Sequence, residues 1–362
     1  MNKRARDLFY LGILLSTVIC NYIGLVDFFS LPFVNAREAQ PIFVNFVKRV
    51  RVDVGYQVIL AGNRGYVSNN DGITIIDLEN PKEAHKIGFV EEDTNGFDVH
   101  NELLFRTEQS GLVIYNVSSP NNPLSIGFAN TNRAAYNTKL NDSLVFTALY
   151  NGQMDVYNVS DLENPEFIST YFGSGRGLDL AVCGTTIYYA DPDQGLEVIN
   201  VTDPSDPHRI RTVSNTYGAW DLYRNNELLY LGCHGLGLKV LDISDPTNPT
   251  VINQFNDGGE IYGVCGNDSY LFLGDLQEGL EVLTYSNSSY LSEIASYEAT
   301  PHDIAFNDNY IYLADQDRGF LVLELSREEK NNSNYYYLFF LIIPIIGITW
   351  VGYYLVNRKR NQ

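Results

Sequence analysis

Four aspartates occupy corresponding places in a repeating pattern of the chain. They are Asp98, Asp179, Asp221 and Asp303, and each stands at the start of a short apolar segment. Carboxylates gathered around one axis form a funnel that attracts a cation, with Ca²⁺ as one candidate, or a basic partner. In the competing interpretation, these side chains cap neighbouring backbone N–H groups. The residue types and their spacing leave both interpretations open.

The other residues able to do chemistry form no catalytic or redox pattern. No two of the five histidines stand three or four residues apart, so the sequence does not predict a histidine metal site. The chain has no G-x-S-x-G motif, no phosphate-binding loop and no glycine-rich dinucleotide loop. Cys183, Cys233 and Cys265 fall at places of the repeat that do not meet, which predicts free thiols. We therefore expect no enzymatic activity, and no cofactor apart from the Ca²⁺ candidate.

Seven Asn-x-Ser/Thr sequons predict sites of N-glycosylation on surface turns. The acceptors are Asn116, Asn141, Asn158, Asn200, Asn267, Asn287 and Asn331. Three of them, Asn116, Asn158 and Asn200, take the place that Asp77 and Asp242 hold in other repeats. Drift of the repeat is therefore a second explanation for those three sequons.

The elements that must position these residues repeat with a period near 40. Glycines mark the repeat at intervals of 39 to 43 residues, at Gly72, Gly111, Gly152, Gly195, Gly237, Gly279 and Gly319. Each is followed by a strand-like alternation such as GLKVLDI, and a Pro- and Asp-rich turn follows in most repeats. A period near 40 with alternating apolar residues is typical of propeller blades, each a four-stranded sheet. The glycine is expected to supply a positive φ between the second and third strands.

The seventh repeat ends after its third strand, and the missing strand lies at the other end of the chain. The segment PIFVNFVKRV, from Pro41, matches the fourth strands of other repeats. We predict that Ile42–Phe46 pairs with Leu321–Leu325 and closes the ring. The predicted fold is thus an all-β, seven-bladed propeller over residues 41–326, followed by a C-terminal transmembrane helix.

The repeats resemble the LVIVD repeat family. The resemblance rests on a short apolar strand, Asp or Asn, a small residue and then Asp-Pro-x-x-Pro, and it is clearest at Gly195–Pro207 and Gly237–Pro249. It covers residues 41–326 and is weak at Tyr285–Leu291, where the Pro-x-x-Pro is absent. It implies a β-propeller in a secreted or cell-surface protein of bacteria or archaea, and it implies no catalytic residue.

Both ends of the chain contain long uncharged segments that predict membrane targeting or insertion. Residues 1–36 combine an N-terminal basic cluster with a 19-residue uncharged run, which predicts a cleaved signal peptide or a retained signal anchor. Residues 335–356 are 22 uncharged residues with aromatic residues at both ends, which predicts a transmembrane helix. A tether at 327–334 precedes it, and a basic tail at 357–362 follows it. The positive-inside rule then predicts a single-pass plasma-membrane protein with an extracellular propeller and a cytoplasmic C-terminus.

The acidic net charge of the chain limits the classes of partner that it can bind. Six of the 24 basic and two of the 44 acidic residues lie in 1–36 and 335–362, which leaves residues 37–334 with a net charge of −24. Such a surface repels nucleic acid and anionic lipid headgroups. The leading hypothesis is a non-catalytic binding, adhesion or scaffold module for a protein or cell-surface ligand. The alternative is an ectoenzyme, a hydrolase or lyase with a carboxylate-lined central pocket.

The two faces of the predicted disc differ in what they carry. In a propeller, the turns between first and second strands share one face with the turns between third and fourth strands. That turn face holds Asn141, Asn267 and Ser326, from which the tether leaves toward the membrane. The opposite, loop face is then membrane-distal, and it should carry the four aspartates together with acidic residues of the loops between second and third strands. These loop residues are Asp71, Glu108, Asp191, Asp193, Asp275, Glu278, Asp315 and Asp317.

Overall fold

The computed structural model describes residues 41–91, 96–131, 133, 135–256, 258–287 and 290–327. Within these residues, 28 strands form seven antiparallel sheets of four strands each, and no α-helix occurs. The sheets are the seven blades that the 40-residue period predicts. The backbone of the fold is therefore all β.

Each blade takes its strands in chain order, from an inner first strand to an outer fourth strand. Blade 1 consists of β2 (Val58–Ala61), β3 (Arg64–Asn69), β4 (Gly72–Asp77) and β5 (His85–Glu91). Blade 2 consists of β6 (Phe97–His100), β7 (Leu103–Glu108), β8 (Gly111–Asn116) and β9 (Leu124–Asn130). Blade 3 consists of β10 (Ala135–Asn141), β11 (Leu144–Leu149), β12 (Gln153–Asn158) and β13 (Glu166–Phe172). Blade 4 consists of β14 (Asp179–Cys183), β15 (Thr186–Asp191), β16 (Gly195–Asn200) and β17 (His208–Thr212).

The remaining blades follow the same plan until the last. Blade 5 consists of β18 (Ala219–Asn225), β19 (Leu228–Cys233), β20 (Gly237–Asp242) and β21 (Thr250–Phe255). Blade 6 consists of β22 (Ile261–Gly266), β23 (Tyr270–Asp275), β24 (Gly279–Asn287) and β25 (Tyr290–Tyr297). Blade 7 consists of β26 (Pro301–Asn307), β27 (Tyr310–Asp315), β28 (Gly319–Ser326) and β1 (Phe43–Val50).

Strand β1 supplies the outer strand of blade 7. It runs antiparallel to β28, with Val44 opposite Leu325 and Phe46 opposite Leu323. The register shifts once, between Phe46 and Lys48. This is the pairing that the incomplete seventh repeat predicts.

The core lies between neighbouring sheets, because the middle strands of each blade are buried on both faces. Strand β15 is buried along its whole length, whereas all residues of the outer strand β17 are exposed. In the described residues, a hydrophobic cluster fills each of the seven junctions between blades, including that between blades 7 and 1. Tyr188 of blade 4, for example, packs in one cluster with Leu229 and Leu231 of blade 5. Burial in the middle strands is therefore continuous, although their sequences still alternate, with charged side chains such as Asp155, Glu197 and Lys239 buried among apolar ones.

The repeat glycines adopt positive φ in all seven blades, as expected. Six of them begin the third strand, and Gly152 directly precedes β12. At Gly72, φ is 144°, and a Cβ would lie 2.1 Å from the carbonyl oxygen of Val90 on the outer strand. A side chain is therefore excluded both by the backbone conformation and by the neighbouring strand. Cys183, Cys233 and Cys265 are free thiols, which confirms that prediction.

The predictions for both termini lie outside the described residues. These are the signal segment 1–36, the transmembrane span 335–356, the tail 357–362 and nearly all of the tether. Among the residues that the structure does describe, no helix is long and apolar enough to cross a bilayer.

Candidate ligand-binding site on the propeller axis

One position of the inner strand recurs in every blade and forms what we call the axial ring. Strand pairing defines it: Asn137 faces Ala148, Asp179 faces Ala190, and the same place is found in the other blades. The axial ring consists of Gln57, Gly96, Asn137, Asp179, Asp221, Gly263 and Asp303. Three of the four predicted aspartates are therefore equivalent.

The fourth, Asp98, lies deeper along the axis. Gly96 is the axial-ring residue of blade 2, because the Thr107 N–H donates to its carbonyl. Asp98 pairs with Phe105, two residues further along the inner strand. The prediction that all four aspartates occupy the same position is therefore wrong for Asp98. The two-residue displacement of Asp98 depends on how the strands of blade 2 pair, which the sequence of residue types does not show.

The aspartates bind the blades to one another. The Asp179 carboxylate accepts a hydrogen bond from the Leu222 N–H at 2.8 Å, so blade 4 is joined to blade 5. The corresponding bonds run from the Val264 N–H to Asp221 (2.7 Å), from the Val58 N–H to Asp303 (2.8 Å) and from the Leu140 N–H to Asp98 (2.8 Å). The backbone-capping interpretation is thus realised at all four positions, always between one blade and the next.

Gln57 forms the same bond without a charge. Its side-chain oxygen accepts from the Phe97 N–H at 3.2 Å and joins blade 1 to blade 2. Asn137 instead donates from Nδ2 to Asp179 at 2.5 Å, which joins blade 3 to blade 4. Gly263 has no side chain, and a Cβ there would lie 2.9 Å from the Asp303 Cα. Close backbone contact takes the place of a side-chain bond between blades 6 and 7.

A belt of aromatic side chains stands directly before the axial ring. We define the aromatic belt as Tyr56, Tyr136, Trp220, Tyr262 and His302, each one residue before an axial-ring residue. Pairing of the inner strand skips Tyr136, Trp220, Tyr262 and His302, so each is the extra residue of a β-bulge. A bulge turns its extra side chain away from the regular pleat. Four equivalent bulges therefore aim four rings in the same way around the axis.

The belt is continuous from blade 5 to blade 1. Ring centroids lie 4.8 Å apart for Trp220 and Tyr262, 5.5 Å for Tyr262 and His302, and 5.7 Å for His302 and Tyr56. His234 stacks on Trp220 at 3.8 Å. These distances are those of interacting aromatic pairs. The sequence analysis missed this belt, although an aromatic residue before the axial-ring residue in five repeats was a readable signal.

The belt and the five axial-ring residues that have side chains line one cavity of about 610 Å³. Asp179, Asp221 and Asp303 are in its wall, whereas Asp98 is not. Lys139, in the inner strand of blade 3, also lines the cavity. It was missed because a single lysine in an acidic chain looks like a solvated surface residue. The volume is in the range of small-molecule sites.

The carboxyl groups of the cavity hold their protons more strongly than usual. Burial raises the pKa of Asp303 to about 7. Burial, together with the charges of Asp179 and Asp303, raises the pKa of Asp221 well above its ordinary value. Burial alone lowers the pKa of Lys139, but the nearby carboxylates outweigh it and the net shift is upward. Lys139 therefore stays an ammonium at neutral pH, and the acids compete for a proton.

The two histidines near the mouth are neutral at pH 7. Burial, with a smaller contribution from Arg176, lowers the pKa of His234 to about 4. Burial also lowers the pKa of His302. Both imidazoles therefore act as uncharged rings in the cluster around Trp220 and Tyr262.

One polar atom in the cavity wall has no partner. Asn137 is 8% exposed and lines the cavity, and its Oδ1 makes no hydrogen bond while its Nδ2 donates to Asp179. A buried amide oxygen without a donor is costly unless something else supplies one.

The acidic loops of the same face are largely structural. Asp191, Asp275 and Asp315 are fully buried, and each accepts from backbone N–H groups of its own turn. Asp193 is exposed and forms a two-bond ion pair with Arg176. The net charge available at this face is therefore smaller than the residue count suggests.

The sequon asparagines lie at the opposite ends of the strands. Asn116, Asn158 and Asn200 end third strands, and each accepts from the backbone N–H two residues on. Asp77 and Asp242 make the same bond in their blades. Asn267 caps its turn similarly, Asn141 ends β10, and Asn331 lies outside the described residues. Four asparagines thus have a structural role, and glycosylation of the seven sites stays a prediction.

No group of three or more His, Cys, Asp or Glu side chains in the described residues is arranged to hold a metal ion. The carboxylate oxygens of the axial ring bind backbone N–H groups instead. The chemistry of the site is that of an apolar-rimmed pocket with acidic walls and one ammonium.

The fold is similar to that of solved propellers, at identities that show the fold alone. The computationally designed Ika8 protein is 10% identical, with a TM-score of 0.58 over 77% of this chain and 99% of that one. The β-propeller domain of Myceliophteria thermophila Cps50 (Swd1) is 12% identical, with a TM-score of 0.62 over 78% and 100%. The WD40 β-propeller domain of Doa1 is 9% identical, with a TM-score of 0.61 over 79% and 98%. No curated protein matches the chain in sequence.

The family comparison agrees with the repeat pattern. The LVIVD repeat model matches residues 174–214, 219–257 and 301–328. These segments span blades 4 and 5 and the three C-terminal strands of blade 7, which contribute Asp179, Asp221 and Asp303 to the axial ring. The protein is a seven-bladed β-propeller that carries LVIVD repeats.

Proposed function

We propose that the propeller is a non-catalytic binding module that takes its ligand at the aromatic belt, in the mouth of the axial cavity. The observation that carries this proposal is the set of four β-bulges that present Tyr136, Trp220, Tyr262 and His302 around one opening. A bulge interrupts strand pairing and therefore has an energetic cost. Its repetition at one place, with an aromatic residue each time, favours a recognition surface.

The charge of the axial ring supports the same conclusion. Gln57 joins its blade to the next with an uncharged oxygen, so the structural bond does not require a carboxylate. Asp221 and Asp303 make that bond while they repel one another. Charge beyond what the structure needs is typical of a functional site.

The ligand of this module is a protein or another cell-surface molecule, and nucleic acid is excluded as a partner by the net charge. Residues 1–36 direct the chain across the membrane, and the span 335–356 anchors it, with the basic tail in the cytoplasm. The short tether then leaves Ser326 close to the bilayer, so the turn face is membrane-proximal and the belt faces outward. Glycans on Asn116, Asn141, Asn158, Asn200, Asn267, Asn287 and Asn331 would leave the belt free.

Closure of the ring by β1 belongs to this proposal because it fixes the geometry of the belt. Tyr56 of blade 1 reaches His302 of blade 7 only if these blades stay adjacent. The β1–β28 pairing and the bond from the Val58 N–H to Asp303 support that closure.

A hydrolase or lyase is the second candidate, and one observation favours it. The pKa of Asp303 is raised to about 7, with Asp221 close by, and such a pair can exchange protons at neutral pH. The two candidates differ in whether a bound molecule is converted.

The experiment is a ligand-observed NMR screen of the full-length chain against a mixed library of cationic, neutral and anionic small molecules. The test variant is the double substitution Trp220→Ala with Tyr262→Ala, and the control is Phe172→Ala, which removes an exposed ring on the outer strand β13. We expect ligands that bind the wild type and the control but not the double variant. Equal binding to all three proteins would contradict a belt site. Chemical conversion of any hit, abolished by Asp303→Asn, would favour the enzyme.

A further inference from the structure

We infer that the axial cavity binds a protonated primary amine, with its ammonium group between Asp221 and Asp303 and its hydrocarbon body against the aromatic belt. This inference rests on the proposed binding function and names the chemical class of the ligand. A free amine and a lysine side chain of a protein partner share this chemistry.

The first argument is the charge in the cavity wall. Asp221 and Asp303 stand on either side of Gly263, which fills none of the space between them. Asp179 adds a third carboxyl group, whose charge helps to raise the pKa of Asp221. Within the described residues, the Lys139 ammonium makes no ion pair as short as 4 Å, but its charge acts on Asp179 and Asp303, so one ammonium faces three carboxyl groups. A second ammonium is the complement that three neighbouring carboxyl groups lack.

The second argument is the aromatic belt. A cation is attracted to the face of an aromatic ring, most strongly to that of tryptophan. Trp220, Tyr262, His302 and Tyr56 form a connected series at the mouth, directly before the carboxyl groups. Burial keeps His302 uncharged near neutral pH, so it does not repel a cation. The belt thus offers an apolar and cation-compatible wall above an acidic floor.

The third argument separates a primary amine from a quaternary ammonium. The Oδ1 atom of Asn137 is buried in the cavity wall and accepts no hydrogen bond. An ammonium with N–H groups can donate to it and to the carboxylates, whereas a trimethylammonium group cannot. The unpartnered acceptor therefore favours a ligand that carries N–H donors.

The test uses the intrinsic fluorescence of Trp220. The chain has two tryptophans, and substitution Trp350→Phe leaves Trp220 as the only one. The full-length protein with this substitution is titrated with 2-phenylethylamine, 2-phenylethanol and phenethyltrimethylammonium, and calorimetry provides a second readout. We expect the amine to bind about tenfold or more tightly than the alcohol and than the quaternary analogue, as one ionic hydrogen bond or more is lost.

Two variants locate the charge. The double substitution Asp221→Asn with Asp303→Asn should weaken amine binding by about tenfold or more while leaving alcohol binding nearly unchanged. The matched control is Asp98→Asn, because Asp98 makes the same inter-blade bond but does not line the cavity. It should alter amine binding by less than about twofold. Thermal unfolding of each variant checks that the fold is retained.

The pH dependence gives an independent check. A carboxyl group with a pKa near 7 must ionise before it can pair with an ammonium, so amine affinity should fall by about tenfold from pH 8 to pH 6. The alcohol should show no such dependence. The ionisable groups that face the cavity are Asp179, Asp221, Asp303, Lys139 and Cys265, with His302, Tyr56, Tyr136, Tyr223 and Tyr262 around them. Burial and the charges of Asp303 and Asp221 raise the pKa of Cys265, so its thiol stays protonated through this pH range.

The outcomes distinguish this inference from the proposed function. If the amine and the alcohol bind equally and Trp220→Ala removes both heats of binding in calorimetry, the binding site stands and the amine inference is wrong. If no probe binds, the amine inference is overturned, and the mixed-library screen alone decides the binding function. A fourth titration uses a short lysine-containing peptide with a blocked N-terminus. If this peptide binds and free phenylethylamine does not, the source of the ammonium is a protein partner.

Discussion

The axial ring contains two arcs that do the same structural work with different chemistry. In blades 1 and 3 the ring residues are the amides Gln57 and Asn137, and in blades 4, 5 and 7 they are the carboxyl groups Asp179, Asp221 and Asp303. Both arcs join neighbouring blades by side-chain hydrogen bonds. Only the second arc holds groups that repel one another. Gln57 accepts the N–H of the next blade with an uncharged oxygen, as Asp179, Asp221 and Asp303 do with carboxylates, so the bond does not require the charge. The comparison teaches that the charge serves the cavity.

The largest loss of stability is expected from a substitution at Gly263, the glycine between Asp221 and Asp303 in the axial ring. Substitution Gly263→Ala would place a Cβ 2.9 Å from the Asp303 Cα, a backbone atom that cannot turn aside. We expect a loss of about 3 kcal/mol in the free energy of unfolding, measured by denaturant titration. The control is Gly65→Ala, whose Cβ would meet the end of the Leu78 side chain at 3.0 Å. Equal losses would show that the spacing of Asp221 and Asp303 is not fixed by Gly263.

The next effect separates the bond from the charge at Asp303. Asp303→Ala leaves the N–H groups of Val58 and Ile304 without their acceptor and should cost about 2 kcal/mol. Asp303→Asn keeps an oxygen for these N–H groups and removes the buried charge, so it should cost nothing at pH 8. Denaturant unfolding at pH 8 measures both. A loss as large for Asn as for Ala would mean that the carboxylate is itself required for the structure.

A smaller effect is expected from pH. The pKa of Asp303 is raised to about 7 in the folded protein, so between about pH 4 and pH 7 the folded state binds more protons than the unfolded state. Stability should therefore fall as pH rises through this range and level off above it. Asp303→Asn should melt about 2–4 °C higher than the wild type at pH 8 and at the same temperature near pH 4. A wild-type melting temperature that rises from pH 4 to pH 7 contradicts this sign.

The smallest effect is expected when charge is added to the amide arc. Gln57→Glu keeps the oxygen that accepts from Phe97 and places a further carboxyl group in the ring. We expect the melting temperature to drop by about 2 °C at pH 8 and to recover near pH 4, as the new group becomes protonated. Differential scanning calorimetry resolves the change. An unchanged melting temperature at pH 8 would show that this arc tolerates charge as well as the other.

The blades were predictable because every repeat has the same pattern of strand-forming segments and turn residues. In the fifth repeat the strand-like segment GLKVLDI falls on β20 to within one residue. The missing fourth strand of the seventh repeat also pointed to β1, because an incomplete repeat leaves one sheet edge unpaired. Alternating apolar residues and turn residues indicate strands within each short segment of the chain, and the pattern recurs seven times, so each repeat supports the same four-stranded blade.

The site was less predictable because it depends on departures from that regularity. A bulge adds one residue to a strand, and alternation in sequence does not reveal which residue is skipped. Alternation therefore does not mark Tyr136 or Trp220 as the residue that the strand pairing skips. Asp98 was grouped with Asp179 because order along the chain does not give register. The role of Lys139 becomes visible only in the folded structure, where four blades bring their carboxyl groups near it.

Because β1 pairs with β28, blade 7 cannot be completed until nearly the whole propeller has been synthesised. Asn45 and Ser326 hydrogen-bond across 281 residues of chain, and at about 5–20 residues per second a ribosome needs about 15–55 s to make that stretch. During that time β1 is a strand without a partner, exposed to aggregation or to capture by another chain. The last blade is thus the slowest to form, however fast the others fold, because its contacts have the largest sequence separation. Binding of a holding factor to residues 43–50 on the nascent chain would meet this need, and a truncation before Gly319 would leave the strand permanently unpaired.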